Sequence, residues 1–277
     1  MRPASEATGV SPPRILYTDL DGTLLGPGGG LLAAAGGGVT LAAARALSRL
    51  HEAGVSVVPI SGRTAPQVWE VARIIGASDY IAELGGIVAL DGDRERIRMV
   101  GAFEGDGTPY DEMVRGGAAG LLLDTYRGRL EPHLPWATLP RESSMLFRGL
   151  VDLAEVADLL DRAGYGWLHL LDNGGIPRRY ETLTVETIHA YHLLPRGVDK
   201  ATAAAAHRDR IGVPPEACVA IGDSPSDAAL ASEVGAMFVV ANGRTAVEEA
   251  GVTGENVFAT DGSHGEGFAE AVDALLA

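Results

Sequence analysis

The most constraining feature of this sequence is a short apolar run that ends in two carboxylates and a glycine, Asp19-Leu-Asp-Gly-Thr23. The run starts at Arg14 and is too short for a typical helix, so it predicts a strand buried on both faces, as in parallel sheets. Asp19 and Asp21 are two residues apart, so in an extended chain their side chains point the same way. Because adjacent carboxylates repel each other, the pair predicts a Mg2+ site or an acid/base pair. An Asx turn at Asp-Gly is the simpler alternative.

Length and charge limit the functions open to the chain. At 277 residues, two domains or one domain with a large insert are expected. The net charge of -15 disfavours nucleic acid and anionic membranes as partners. A small phosphorylated molecule is compatible with it, because one bound cation inverts the local field. The single cysteine, Cys218, and the absence of a signal-peptide pattern indicate a cytoplasmic protein, and the oligomeric state is not predicted.

A second short apolar run, Val55 to Ile60, leads into a sequence suited to binding phosphate. Ser61, Gly62 and Arg63 follow it and precede a predicted helix. Their hydroxyl and N–H groups would lie at the carboxyl end of a strand and the amino end of a helix, where an anion is stabilised. These three residues are therefore predicted to bind substrate, although a helix cap alone would explain Ser61. The glycine-rich segment 24–40 between the two runs is predicted to be an irregular flap beside the site.

The regular alternation of strands and helices is lost between residues 87 and 193. Strand-like pieces at 87–90, 167–171 and 182–188 are mixed with helix-like pieces at 111–126 and 151–163, which indicates an α+β insert. The predicted fold class is α/β, with a Rossmann-like parallel-sheet core (1–86 and 194–277) and an inserted α+β cap (87–193). In the cap, a polar loop with Arg178 and Arg179 is predicted to bind substrate, with a solvated turn as the alternative.

The core pattern resumes with a lysine at a helix start and a second acidic strand end. Lys200 opens an alanine-rich helix, where the helix dipole disfavours a cation unless an anion lies nearby. An exposed lysine is the alternative. The apolar run 217–222 ends in Asp223, and Asp227 falls in the first turn of the next predicted helix. Helix capping explains Asp227 but not Asp223, which suggests a functional carboxylate.

These elements, Asp-x-Asp, Ser, Lys and Gly-Asp-x3-Asp, occur in the order of the four signatures of the haloacid dehalogenase superfamily. The insert between the second and third signatures resembles the class IIB cap of Cof-type sugar phosphatases and of sucrose-phosphate and mannosyl-3-phosphoglycerate phosphatases. Two positions depart from the pattern, because Ser226 and Leu84 stand where asparagine is usual. A substrate-facing role at position 84 is therefore not transferred.

The resemblance implies a phosphatase that works through an aspartyl-phosphate intermediate. Asp19 would be the nucleophile, and Asp21 would protonate the leaving group and then deprotonate water. Ser61 and Lys200 would complete the catalytic residues by binding the phosphoryl oxygens together with Gly62. The substrate would be a small phosphorylated sugar, polyol or sugar acid. A phosphomutase of the phosphomannomutase type and a non-catalytic phosphosugar sensor are the alternatives.

The same resemblance implies a Mg2+ cofactor. Asp19, the backbone carbonyl of Asp21 and Asp223 would hold the ion, with Asp227 as a ligand or as support behind the ligands. Asn242, which ends the next predicted strand, is added to the residues expected to bind substrate. The histidines of the insert are expected to be packed or hydrogen-bonded rather than metal ligands.

Overall fold

A computed structural model describes residues 1–7, 13–176 and 178–276 of the chain. Over these residues the strands are β1 (Arg2–Pro3), β2 (Ile15–Asp19), β3 (Ser56–Ile60), β4 (Tyr80–Ala82), β5 (Ile87–Leu90), β6 (Glu95–Arg98), β7 (Leu130–Pro132), β8 (Met145–Gly149), β9 (Leu168–Gly175), β10 (His189–Pro195), β11 (Cys218–Gly222), β12 (Ala236–Val239) and β13 (Val257–Ala259). The helices are α1 (Ala42–Glu52), α2 (Ala65–Ile75), α3 (Pro109–Gly116), α4 (Ala118–Thr125), α5 (Leu153–Arg162), α6 (Lys200–Ile211), α7 (Pro225–Ala228), α8 (Arg244–Glu249) and α9 (His264–Leu275).

The larger sheet has nine strands in the order β1-β13-β12-β11-β2-β3-β4-β5-β6, and β2 lies at its centre. The pairs from β1 to β4 are parallel, whereas β5 and β6 are added antiparallel. All five residues of β2 are buried, as the sequence predicts for a strand covered on both faces. Since β3 and β11 flank β2 in parallel, the carboxyl ends of the three strands meet at one edge of the sheet.

Alternating residues of the central strand divide the core into two layers. Leu16 packs in a cluster with residues of α1, α2 and α9. Tyr17 packs on the other face with residues of α6, α7 and α8. Because successive side chains of a strand point to opposite faces, Asp19 lies on the Tyr17 side, the side that carries α6.

A second sheet forms the insert and has the antiparallel order β7-β8-β10-β9. One of its faces packs on α3, α4 and α5 and includes Leu170 and Leu193. Their neighbours Leu171 and His192 therefore lie on the opposite face. That face is turned toward the core, since Leu171 packs against Leu194 and Val198 in the chain segment that returns from the cap. The predicted fold class, an α/β core with an inserted α+β cap, is confirmed.

The structure differs from the sequence-based elements in several places of the insert, and it adds the strands β6, β7 and β8, which the sequence analysis does not predict. Residues 87–90 form β5, which pairs with β4 in the large sheet, so the separate cap sheet begins later than residue 87. Residues 182–188 contain no strand. The predicted helix at 111–126 is two helices, because Gly117 between them has φ +80° and ends α3. These differences depend on pairing and backbone turns that apolar periodicity does not report.

The first joint between core and cap, the segment that contains Glu83 and Leu84, is closely packed. Glu83 and Leu84 have positive φ angles of 53° and 57°, and Leu84 is fully buried against Leu194 and Val198. Leu84 therefore packs the joint in place of the asparagine expected from the resemblance. Among the described residues, no helix is long and apolar enough to cross a membrane.

Candidate active site

Three aspartates converge at the edge where β2 and β11 end. Asp19 is the last residue of β2, Asp223 follows β11, and Asp227 lies in α7. Each offers a carboxylate oxygen, and these oxygens lie within 4.8 Å of one another. This acid cluster, Asp19, Asp223 and Asp227, unites the first and fourth motifs of the sequence.

A buried lysine binds two members of the acid cluster. Lys200 Nζ donates to Asp19 Oδ1 at 2.8 Å and to Asp227 Oδ1 at 2.5 Å. The lysine is 1% exposed. Burial opposes its charged form, but the charges of Asp19 and Asp227 outweigh this effect and raise the pKa of Lys200. The alternative prediction from the sequence, that Lys200 is an exposed surface lysine, is therefore wrong.

The position of Lys200 follows from the cap of its helix. Asp199 accepts from Thr202 N at 2.8 Å and Thr202 Oγ1 accepts from Asp199 N at 3.0 Å, a capping box that starts α6 at Lys200. A β-carbon on Gly85 would lie 2.1 Å from the Asp199 carbonyl oxygen, so the chain entering the cap presses directly on this helix start. A change in the backbone at Gly85 would therefore displace the helix start that positions Lys200.

The acid cluster carries more negative charge than Lys200 balances. Burial and the charges of Asp227 and Asp223 raise the pKa of Asp19 well above its ordinary value, despite the opposing effect of Lys200. Burial and the charge of Asp227 raise the pKa of Asp223 to about 7. Three carboxylates facing one ammonium fit a divalent cation, which would relieve the repulsion and is bound by oxygen ligands of this kind.

Side chains and main chain around Asp223 hold it in place. Thr23 Oγ1 donates to Asp223 Oδ1 at 2.9 Å, and Asn242 Nδ2 donates to Asp223 Oδ2 at 3.3 Å and to the Gly22 carbonyl at 2.9 Å. The side-chain oxygen Oδ1 of Asn242 accepts from His264 N at 2.9 Å. Asn242, which the sequence analysis assigns to the substrate, thus has an amide that is already hydrogen-bonded within the core.

Asp227 is held from its own helix start. Its Oδ2 accepts from Ser224 Oγ at 2.6 Å, from Ser224 N at 3.0 Å and from Asp223 N at 3.3 Å. The second oxygen stays directed at Lys200. The carboxylate therefore caps α7, as the sequence predicts, and joins the acid cluster at the same time.

The second acid of the first motif points to a different partner. Arg63 donates Nε to Asp21 Oδ2 at 2.6 Å and Nη2 to Asp21 Oδ1 at 2.5 Å. The Asp21 side chain is about half exposed, at 51%. Its carboxylate is not a member of the acid cluster. Contact of a metal ion with its backbone carbonyl stays a prediction. Arg63 orients Asp21 through this two-point contact, a role that the sequence analysis does not assign.

The loop after β3 connects the core site to the cap. Ser61 is buried, and its Oγ accepts from Arg63 N at 3.3 Å. Arg141, from the cap, donates to the Gly62 carbonyl at 3.3 Å. Glu83 fixes the same cap segment, because its carboxylate accepts from the backbone of Glu142 and from residues 143–144. Arg141 and Glu83 were missed at the sequence level, where an isolated Arg or Glu gives no periodic or motif signal.

The two predicted cap arginines lie on the surface. Arg178 and Arg179 are exposed, and the Arg178 guanidinium lies over the Tyr180 ring, 5.3 Å from its centroid. The hydrogen bonds and ion pairs of the described residues do not join either arginine to the acid cluster. A role in substrate binding stays a prediction for both.

Comparisons with known proteins agree with this arrangement. The family model for haloacid dehalogenase-like hydrolases matches residues 176–256. A phosphoglycolate phosphatase of Pyrobaculum aerophilum is 29% identical over 263 residues, which are 95% of this chain and 96% of that protein. Another from Methanopyrus kandleri is 29% identical over 272 residues, or 95% of this chain and 97% of that protein.

The fold is also that of solved structures. The sucrose-phosphatase of Synechocystis sp. PCC6803, solved with sucrose and phosphate, superposes with a TM-score of 0.63 at 13% identity, covering 94% of this chain and 97% of that chain. At this identity the likeness concerns the fold alone. The acid cluster, the buried lysine and the capped α/β core agree with this likeness: the chain is similar to haloacid dehalogenase-like hydrolases over residues 176–256 and to phosphoglycolate phosphatases over nearly its whole length.

Proposed function

We propose that the protein is a Mg2+-dependent phosphatase of a small phosphorylated carboxylic acid, with phosphoglycolate as the first candidate. The observation that carries the proposal is the acid cluster with Lys200 Nζ between Asp19 and Asp227. A nucleophilic carboxylate, a cation beside it and further oxygen ligands are what phosphoryl transfer requires. The substrate class is supported by the phosphoglycolate phosphatases that match over nearly the whole chain.

Asp19 is the nucleophile in this proposal. Its carboxylate oxygen forms a bond to phosphorus while the bond from phosphorus to the ester oxygen breaks, which leaves an aspartyl-phosphate and an alcohol. A water oxygen then attacks the phosphorus, the bond to Asp19 breaks, and inorganic phosphate is released. Lys200, 2.8 Å from Asp19 Oδ1, favours the ionised carboxylate that attacks.

Asp21 transfers the protons. It protonates the leaving alkoxide in the first step and removes a proton from the attacking water in the second. Its contacts with Arg63 at 2.6 and 2.5 Å hold the carboxylate in one orientation. Since Asp21 is about half exposed, at 51%, it stays accessible to the leaving group and to water.

Asp19, Asp223 and Asp227 are the residues that would hold the metal ion. All three are oxygen donors, a set that suits Mg2+ better than Zn2+. When bound, the ion supplies positive charge to the phosphoryl oxygens. Ser61, the Gly62 N–H group and Lys200 bind those oxygens from the protein side, at the carboxyl ends of the strands.

Phosphate release from a substrate panel tests the proposal. The panel holds 2-phosphoglycolate, 3-phosphoglycerate, hexose phosphates, polyol phosphates and p-nitrophenyl phosphate, each with Mg2+ and with a chelator. We expect Mg2+-dependent release, highest with 2-phosphoglycolate, and none from Asp19→Asn protein. Conversion of one phosphosugar isomer to another without phosphate release would favour a phosphomutase, and binding without either reaction would favour a sensor.

A further inference from the structure

Three polar groups of the cap converge on Gly62, the residue after Ser61. Arg141 Nη1 donates to the Gly62 carbonyl at 3.3 Å. A β-carbon placed on Gly62 would lie 2.6 Å from His192 Nε2 and 3.0 Å from Asn173 Nδ2. Only a glycine leaves room for these side chains, so the cap meets the phosphate-binding loop through nitrogen groups of three residues.

The strand pattern of the cap explains why these groups face the core. His192 and Asn173 lie in β10 and β9, on the face opposite the cap helices that bury Leu193 and Leu170. Arg141 precedes β8, and Ser144 Oγ accepts from its Nη1 at 2.9 Å. This face of the cap sheet therefore presents its polar side chains to the core rather than to the cap's own helices.

Two of these groups are buried with unused hydrogen-bonding atoms. Arg141 is 7% exposed and His192 is 1% exposed. Within the part of the chain that the structure describes, Arg141 Nε and His192 Nδ1 have no hydrogen-bond partner. A buried donor without a partner is costly, by about 1–3 kcal/mol and more when the group is charged. Such atoms beside an active site indicate a ligand that pairs with them.

The charge balance indicates an anionic ligand. No ion pair among the described residues includes Arg141. The nearby acid Glu83 is already satisfied by four hydrogen bonds from the backbone of Glu142 and from Ser143 and Ser144. Burial and the charge of Arg141 hold the pKa of His192 well below its ordinary value, so this ring is neutral near pH 7. The oxygens of Glu83 are thus occupied, and Arg141 is a cationic side chain beside Gly62 whose Nε has no partner among the described residues.

We infer that Arg141, with His192 and Asn173, forms the subsite for the carboxylate of the substrate. This inference rests on the proposed function and names the residues that bind the carboxylate of its substrate. Ser61 and Gly62 bind the phosphoryl group, and Arg141 donates to the Gly62 carbonyl. The carboxylate that Arg141 binds must therefore be only a few bonds from phosphorus. A two- or three-carbon phosphorylated acid meets this condition. The guanidinium pairs with a carboxylate through parallel N–H donors, one of which is the unused Nε.

Paired substrates test the subsite. We compare 2-phosphoglycolate with 2-hydroxyethyl phosphate, in which a hydroxymethyl group replaces the carboxylate. For Arg141→Gln we expect kcat/KM on 2-phosphoglycolate to fall about 10²-fold, the scale for losing one partner of a buried charge pair, and by under about threefold on 2-hydroxyethyl phosphate. Arg141→Lys, which keeps the charge but not the two-point contact, should fall between wild type and Arg141→Gln.

A matched control separates recognition from cap folding. Arg148 is also a buried cap arginine, but Glu131 and the Leu134 carbonyl already accept from it at 2.6 and 2.9 Å. Arg148→Gln should leave the ratio of the two kcat/KM values unchanged. Thermal unfolding of each variant shows whether the protein is folded. If Arg141→Gln does not fold, the kinetics of Arg141→Lys test the subsite instead.

Binding to the inactive Asp19→Asn protein gives a readout without turnover. By calorimetry, 2-phosphoglycolate should bind more tightly than 2-hydroxyethyl phosphate, and the difference should vanish when Arg141→Gln is added. Equal losses on both substrates, or none, overturn the subsite. A wild-type enzyme that hydrolyses p-nitrophenyl phosphate without preferring 2-phosphoglycolate overturns the subsite and the proposed substrate class but leaves the phosphatase activity standing, whereas no release from any phosphate ester overturns the phosphatase itself.

Discussion

Lys200 Nζ lies 2.8 Å from Asp19 Oδ1, although 181 residues and the whole cap separate the two in the sequence. The contact is buried, with the side chains 1% and 9% exposed. It joins the start of α6 to the end of β2 and brings two motifs to one point. The pair therefore links the packing of the core to the charge of Asp19, the proposed nucleophile.

Replacing Lys200 by methionine should remove activity and destabilise the fold. Two buried carboxylates would lose their shared cation, a change that costs about 3–5 kcal/mol when one partner of a buried ion pair is removed. Denaturant unfolding in the presence of a chelator measures this loss. Arg210→Gln is the control, because its pair with Glu95 is exposed and is expected to contribute under about 1 kcal/mol. Equal effects of the two changes would contradict the prediction.

Asp21→Asn should slow turnover by about 10²-fold or more, the usual scale for losing a general acid or base. Arg63→Gln should cause a smaller loss, because Asp21 keeps its chemistry but loses the two-point contact that orients it. Steady-state kinetics with 2-phosphoglycolate, whose alkoxide leaving group must be protonated, checks both. Normal turnover by Asp21→Asn would refute the proton-transfer role.

Mg2+ should stabilise the folded protein through the acid cluster. At 100 times its dissociation constant, an ion that binds only the folded state adds about 2.7 kcal/mol. We expect the unfolding temperature of wild type to rise with Mg2+ and the rise to be largely lost in Asp223→Asn. Asp261→Asn, a change at an acid whose side chain is 99% exposed, is the control. An equal rise in wild type and Asp223→Asn would exclude Asp223 as a ligand.

Gly85→Ala should impair catalysis from outside the catalytic residues. Gly85 has φ +107°, and a β-carbon there would lie 2.1 Å from the Asp199 carbonyl oxygen, one residue before Lys200. We expect a lower kcat and a stability loss of about 1–3 kcal/mol from the strained backbone. Gly120→Ala is the matched control, since Gly120 lies inside α4 with open space around it, and alanine there should stabilise by up to about 1 kcal/mol.

Asp79→Asn should destabilise the core in a pH-dependent way. Burial tends to raise the pKa of Asp79, but the hydrogen bond with His207 and the Asp91 N–H group outweigh it, so the pKa is lowered. A lowered pKa adds stability that is present above the unfolded-state pKa and is lost as the pH falls through the folded-state pKa. Urea unfolding should therefore separate wild type from Asp79→Asn at pH 7, and the difference should shrink as the pH falls below the ordinary aspartate pKa of about 3.9. A constant difference would contradict this.

The sequence determined the strand ends, the helix starts and the order of the motifs. Asp19 at the end of β2, Lys200 at the start of α6 and Asp227 in the first turn of α7 could be read from local patterns. These features depend on burial of short apolar runs and on caps, which act over a few residues. The parallel arrangement of the strands then brings their carboxyl ends together.

The tertiary structure alone decided which side chains pair across the site. The contact of Asp21 with Arg63, the support of Asp223 by Asn242 and the approach of Arg141 to Gly62 join residues far apart in the chain. The extension of the large sheet through β5 and β6 likewise depends on antiparallel pairing. Local periodicity carries no information on such contacts, because their energies arise from burial and hydrogen bonding that exist only once distant segments have packed together.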